Sequence, residues 1–512
     1  MTVDEETERH QGSVEIAVER SPGALVLGAR PRVQLVAPDV EVPVASSPDG
    51  QGTRDDLGRG ADARERRVGM LTGLRDAGPL ALAGFAANGA SVVVTVLVAR
   101  LLTTRGYGAL AQLTSLFLIM SMPGTAVVVG VVRRVTALAV TGRSASVHNW
   151  ARRTYARAVV VVAALAVIIF SAKGPLTRVL SIPTSLGVFA ILVAGSVWVL
   201  LSLDRGLLQA QRCYKTLSVN LVVEGGTRTA AVLCLVGGGM GVAGVAWGVL
   251  FAEVVTALHA RLAADRAWAH GVAKYDRLRR TWAYQRRWVS PAKDAGATPH
   301  TERHHLLLDV SGALVAMALL AYLQNVDVII LGREAPHATG SYAAISVASK
   351  ALVFGAVALG WYLLPEAAIE WHRGGHALRQ LRITLLVLAI PSVALLFAAL
   401  AFPRWLLSFV FSARYSGAHS ALWLLVLAMV FLSITVVLTT YLLAAGQRWI
   451  GALLFIGAVM ATFAVSVAHG SPGPTAGADL AVQSALAVVT AAVFARIHFR
   501  RVVRGFAGRS AK

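Results

Sequence analysis

Apolar residues along this chain follow neither the alternation of a half-buried strand nor the three-and-four spacing of a helix with one wet face. They come as long runs near 79–100, 108–132, 155–172, 186–203, 216–237, 240–260, 306–331, 340–364, 381–401, 418–443, 449–468 and 477–497. A helix needs roughly 17 to 25 apolar residues to cross a bilayer core, so the pattern predicts about twelve membrane spans. Pro123, Gly124, Gly225, Gly226 and Pro391 fall inside these runs. Membrane helices tolerate such residues because neighbouring helices satisfy the freed backbone groups. The fold class expected is therefore an all-α polytopic membrane protein.

The polar stretches divide the chain. Residues 1–77 mix Glu, Asp, Arg, Pro, Gly and Ser with no helical period and read as a disordered cytoplasmic tail. The spans then group as a six-helix lobe over 78–262 and a second over 306–500, joined by a basic cytoplasmic linker at 263–305 and ending in a basic tail at 501–512. The linker carries Arg277, Arg279, Arg280, Arg286 and Arg287 among Trp268, Trp282, Tyr284 and Trp288, as a positive-inside connection or an amphipathic helix on anionic lipid would.

The two lobes read as a duplication. Gly106-Tyr107-Gly108 follows the first span and Gly340-Ser341-Tyr342 the seventh, an offset of 235 between Tyr107 and Tyr342. The fourth span leaves through Leu207-Leu208-Gln209-Ala210-Gln211-Arg212 and the tenth through Leu442-Leu443-Ala444-Ala445-Gly446-Gln447-Arg448, an offset of 236 between Arg212 and Arg448. The connections after the third and ninth spans both carry Pro followed by Leu-Ser: Pro175 with Leu180-Ser181, and Pro403 with Leu407-Ser408. Repeats of this kind belong to transporters that hold their site between the halves, near mid-membrane.

Charge fixes an expected orientation. The chain has 48 Lys+Arg against 27 Asp+Glu, a net of +21, and the 77-residue tail is itself acidic with 10 basic and 14 acidic residues. The basic excess therefore belongs to the membrane body, in short clusters between spans. Ten Lys+Arg lie between Arg261 and His305 alone, and most of the others in connections fall on the tail's side, so both termini are expected in the cytoplasm of a multi-pass cytoplasmic-membrane protein. A dispersed excess of this form does not suggest nucleic-acid binding. Cys213 and Cys234 lack any CxxC or Cys/His spacing, and no GxSxG, HExxH, Walker A or strand-embedded GxGxxG occurs. The sequence thus calls for no metal, cofactor or enzymatic activity.

Ionisable residues inside apolar runs are costly and carry the functional information. Glu224 and Arg228 stand four apart, so they either pair on one helix face or leave Arg228 as a cation facing a cavity. Lys350 lies about ten residues into its run with no acid three or four positions away, so it needs a partner on another helix or a cavity. Asp327 faces the outer vestibule or caps a helix end. Glu253 is placed near the cytoplasmic end of the sixth span, beside basic residues.

Several segments resemble a known family. Ala99-Arg100-Leu101-Leu102 with Tyr107-Gly108, Asn325-Val326-Asp327-Val328-Ile329-Ile330-Leu331-Gly332 with Gly340-Ser341-Tyr342, Arg205-Gly206-Leu207-Leu208-Gln209, and Leu364-Pro365-Glu366 look like Wzx-type polysaccharide flippases of the MATE/MOP exporter superfamily. The resemblance covers about 78–497, with the acidic tail and the long basic connection as departures. It implies two six-helix lobes around a central cavity, and movement of a polyprenyl-pyrophosphate-linked oligosaccharide from the cytoplasmic to the outer leaflet for cell-surface polysaccharide synthesis. A pyrophosphate in such a cavity needs fixed cations, which Arg228, Lys350 and Arg100 offer, while Asn325 and Gln324 offer hydrogen bonds to sugar. Partners implied are the lipid-linked glycan, membrane lipids and polysaccharide polymerase or assembly machinery.

The same residues bear on three other functions. A MATE-type H⁺- or Na⁺-coupled small-molecule antiporter calls for buried acids in the first lobe, where Glu224 and Glu253 qualify. A lipid II flippase has two further spans, and a membrane glycosyltransferase needs a large polar outer loop.

Overall fold

The computed structural model describes most of residues 83–140, 144–269, 299–372 and 378–510. The acidic tail at 1–77 and the aromatic and basic centre of the linker lie outside the described residues, as do Arg212 and Arg448. Within those residues the chain is helical throughout. Helix α1 contains the apolar stretch Gly89–Leu101. It is followed by α2 (Thr104–Ser121), α3 (Pro123–Val140), α4 (Ser144–Leu180), α5 (Ser185–Ala210), α6 (Tyr214–Leu235) and α7 (Gly241–Ala269). The second lobe comprises α8 (Pro299–Glu334), α9 (Thr339–His372), α10 (Leu378–Ala401), a short α11 (Pro403–Val410), a 3₁₀ segment (Ala413–Ala421), α12 (Leu422–Ala444), α13 (Ile450–Val467) and α14 (Pro472–Ser510).

Ten described helical stretches are long and apolar enough to span a membrane, against the twelve runs in the sequence. The difference lies in two places. One stretch, Tyr214–Ala267, carries both α6 and α7, and α1 is described in part. A π-helical turn at Val236–Met240 joins α6 to α7, with Gly239 at φ 86° and Gly241 at φ 53°. Those angles suit residues without a Cβ, and they let the chain reverse so that α6 and α7 pack side by side. Linker boundaries also shift, since α7 continues to Ala269 and α8 already starts at Pro299.

Each lobe is organised on the same member of the repeat. In the first, α5 packs against α2, α3, α4, α6 and α7; in the second, α12 packs against α8, α9, α10, α13 and α14. These are the fourth and tenth spans. Peripheral helices face lipid instead: α4 exposes Val160, Val161, Val167, Ile168 and Phe170, and α10 exposes Leu386, Ile390, Val393, Phe397 and Leu400. The lipid-facing stripe of α10 continues through Phe402 into α11, where Trp405 and Phe409 stay exposed while Leu407 is buried.

The lobes meet along a seam where α2 packs on α8 and α9. The two connections that the repeat pairs lie against each other there. A Cβ on Gly108 would stand 2.9 Å from the backbone nitrogen of Gly340, and one on Gly340 would run into the carbonyl of Thr104. One apolar cluster crosses the seam, with Val98, Tyr107 and Leu110 from the first lobe and Leu323, Val328, Tyr342 and Phe411 from the second.

Candidate functional site

In the first lobe, three helices bring ionisable side chains together. Arg205 on α5 donates from Nη2 to Glu224 Oε2 at 2.6 Å and from Nε to Asn220 Oδ1 at 2.8 Å, both on α6. Arg228, one turn beyond Glu224, donates to Glu224 Oε1 at 2.6 Å and also to Glu253 Oε1 on α7. Asn220 Nδ2 in turn donates to the carbonyl of Thr256 and lies 3.1 Å from His259 Nδ1. The outcome is an Arg205–Glu224–Arg228–Glu253 chain of alternating charge across α5, α6 and α7.

The guanidinium groups also lean on aromatic faces, Arg205 over Trp198 and Arg228 over Phe117. Buried charges survive only when paired and hydrogen-bonded, and this arrangement meets most of that demand. Two polar atoms remain without a hydrogen-bond partner among the described residues: Arg228 Nε and Glu253 Oε2.

A second ionic group lies nearby in the same lobe. Arg261 on α7 donates to Asp204 Oδ1 at 3.2 Å and to Asp265 Oδ1 at 2.6 Å, and stacks over Tyr155 of α4.

The second lobe has its own network, on α8, α9 and α14. Lys350 Nζ donates to Asn325 Oδ1 at 3.2 Å and lies 3.8 Å from Asp327 Oδ1. Tyr342, from the start of α9, donates to Asp327 Oδ2 at 3.0 Å. Asp479 on α14 is an electrostatic neighbour of both Asp327 and Lys350, and accepts from Gln483 Nε2 at 3.0 Å. Of the two carboxylates, Asp327 is the one within ion-pair distance of the ammonium group. Asp327 Oδ1 and Asp479 Oδ2 have no hydrogen-bond donor among the described residues.

These positions correct several expectations. Glu224 and Arg228 do pair, but Arg228 is shared with Glu253, so it is not an uncompensated cation. Glu253 sits twelve residues inside α7, fully buried, and its partner is Arg228, a half-buried arginine on α6, rather than loop bases. Asp327 neither caps a helix end nor faces a vestibule: it is buried seven residues before the end of α8, between Tyr342 and Lys350. Lys350 has found its partner on another helix. Asn325 spends both ends of its amide inside the lobe, accepting from Lys350 and donating to Ala321 O. Gln324 keeps a buried Nε2 with no partner among the described residues. Arg100 is exposed at the end of α1 and joins neither network.

Three participants escaped the sequence reading. Arg205 and Asp204 fall just past 203, where the apolar run ends, yet α5 continues to Ala210 and holds them in the bundle. Asp479 lies inside the run at 477–497, and its position in an apolar stretch was the available signal.

A MOP-superfamily transporter from Pyrococcus furiosus, described by the reversed polarity of its binding pocket, superposes with TM-score 0.56 at 14% identity over 84% of this chain and 95% of its own. A multidrug-resistance MATE transporter in its inward-facing conformation gives TM-score 0.59 at 14% identity over 81% and 94%. The chain has the MATE/MOP transporter fold. An outward-facing conformation of a multidrug-resistance MATE transporter gives TM-score 0.56 at 14% identity over 84% and 95%. No protein-family model and no curated protein sequence matches the chain. At these identities the MATE/MOP likeness carries the architecture, and the charged networks have to be read from this chain's own residues.

Proposed function

We propose that the protein is an exporter of the cytoplasmic membrane that works by alternating access and moves a polyprenyl-pyrophosphate-linked oligosaccharide. The observation that carries this reading is the arginine pair of the first lobe. Arg205 and Arg228 flank one carboxylate, Glu224, with their guanidinium groups already desolvated and oriented, and Arg228 Nε is a spare donor. A diphosphate offers two bidentate acceptors of the geometry a guanidinium prefers, so it can take over from the carboxylates without new cations being brought into the membrane. The polyprenyl chain would remain in lipid.

A second reading is supported by different atoms. Glu253 Oε2, Asp327 Oδ1 and Asp479 Oδ2 are buried acceptors lacking donors among the described residues, which suits an antiporter that takes up H⁺ or Na⁺. The test is reconstitution into proteoliposomes with a fluorescent polyprenyl-pyrophosphate oligosaccharide, followed by its accessibility to an impermeant quencher. Protein-dependent flipping that is lost in Arg205→Ala and Arg228→Ala supports the flippase. Absence of flipping, together with gradient-driven efflux of an organic cation, supports the antiporter.

A further inference from the structure

The last carbonyls of a helix have no partner within it and must find donors elsewhere. Those of α1 are served from the other lobe. Arg414 Nη2, in the 3₁₀ segment, donates to Ala99 O at 2.8 Å and to Arg100 O at 2.7 Å, and the Tyr415 hydroxyl donates to Ala99 O at 2.5 Å. A guanidinium at a helix C-terminus also meets the negative end of the helix dipole. The ring of Tyr415 closes the contact edge-on against Tyr107 of α2, centroids 5.1 Å apart, with Phe411 6.1 Å from Tyr107.

The repeat supplies the counterpart. Helix α8 corresponds to α1, and its Arg333 carbonyl accepts from Ser181 Oγ at 3.3 Å. Ser181 belongs to the connection after α4 in the first lobe, as Arg414 belongs to the connection after α10 and α11 in the second. Each lobe thus caps the first span of the other. The two caps are unequal: one is a cation plus a phenol making three bonds, the other a single neutral hydroxyl at long range.

We propose that Arg414 and Tyr415 form the latch of this seam, positioning residues whose grip on Ala99 and Arg100 sets how readily the lobes part on that face, with the Ser181 side as the weak counterpart. The proposal rests on the alternating-access reading. Arg414 is exposed, so water can take its place on the carbonyls when the lobes separate, which makes the contact reversible. Tyr107, Phe411 and Tyr415 are buried and re-form only when the seam closes fully.

The test uses full-length protein in lipid nanodiscs, where both faces are reachable. Cys213→Ser and Cys234→Ser remove the native thiols, and Thr339→Cys places one at a buried seam position beside Gly108. The readout is the rate of labelling by a water-soluble maleimide with no cargo present. Arg414→Ala with Tyr415→Phe is expected to raise that rate by about tenfold or more, because a charge-assisted donor and a neutral one are lost together. Ser181→Ala should change it by about twofold or less. Arg414→Lys, which keeps the charge but engages one carbonyl at a time, should fall between, and it decides the question if the double variant does not insert. An unchanged rate in the latch variants, or an equal rise in Ser181→Ala, overturns the proposal. Failure of flipping in the wild-type protein would sink the exporter reading and leave the labelling result standing.

Discussion

Lys350 on α9 holds its ammonium group 3.8 Å from Asp327 Oδ1 on α8, with Tyr342 bonded to the other carboxylate oxygen. The cation that looked unpartnered along the sequence is half of a buried inter-helix pair. Removing one member of such a pair leaves the other charged and desolvated, which is worse than removing both.

Lys350→Met should therefore destabilise the protein by about 3 kcal/mol, and adding Asp327→Asn should recover most of that loss. Thermal unfolding of the two singles and the double in detergent gives the cycle. Additive effects would mean that the pair is not coupled.

Arg228 bridges Glu224 and Glu253, so it ties α6 to α7 and orders the site at once. Arg228→Lys keeps the charge but loses the fork that reaches both carboxylates. Transport is expected to fall about tenfold while the protein still inserts, a loss of one charge-assisted hydrogen bond. Full transport in this variant would remove Arg228 from the site.

Helix contact at the seam depends on Gly340, where a Cβ would strike the Thr104 carbonyl; Gly226, on an exposed face of α6, has nothing within 4 Å of its Cβ position. Gly340→Ala should cost about 1–3 kcal/mol through overpacking, whereas Gly226→Ala should be neutral or gain up to about 1 kcal/mol of helix propensity. Unfolding temperatures of the two variants, compared side by side, check the contrast.

His469 adopts φ 49° in the exposed connection between α13 and α14, a left-handed conformation that costs a residue with a Cβ. His469→Gly should raise stability by about 0.5–1 kcal/mol once the added freedom of the unfolded chain is subtracted. A lower unfolding temperature would show that the imidazole contributes more than the backbone strain costs.

The sequence by itself determined the membrane-spanning helical class and suggested a repeat between its halves. Hydropathy is local: an apolar run long enough to cross a bilayer core does so as helix, and the matching Tyr107 and Tyr342 connections are the ones that lie against each other at the seam. It also identified Glu224, Arg228, Asp327 and Lys350, since a charge in an apolar run stands out wherever the helix packs. Tertiary structure alone decided what those charges do. Glu224 and Arg228 were readable as a pair because four residues make one helical turn. By contrast, Lys350 meets Asp327 across a helix connection, Arg205 joins Glu224 from a different helix, and Tyr415 caps Ala99 from 316 residues away. No periodicity in the chain encodes those separations. They arise when the lobes fold and dock, because a buried charge or an orphaned carbonyl takes the donor or acceptor that packing brings within reach.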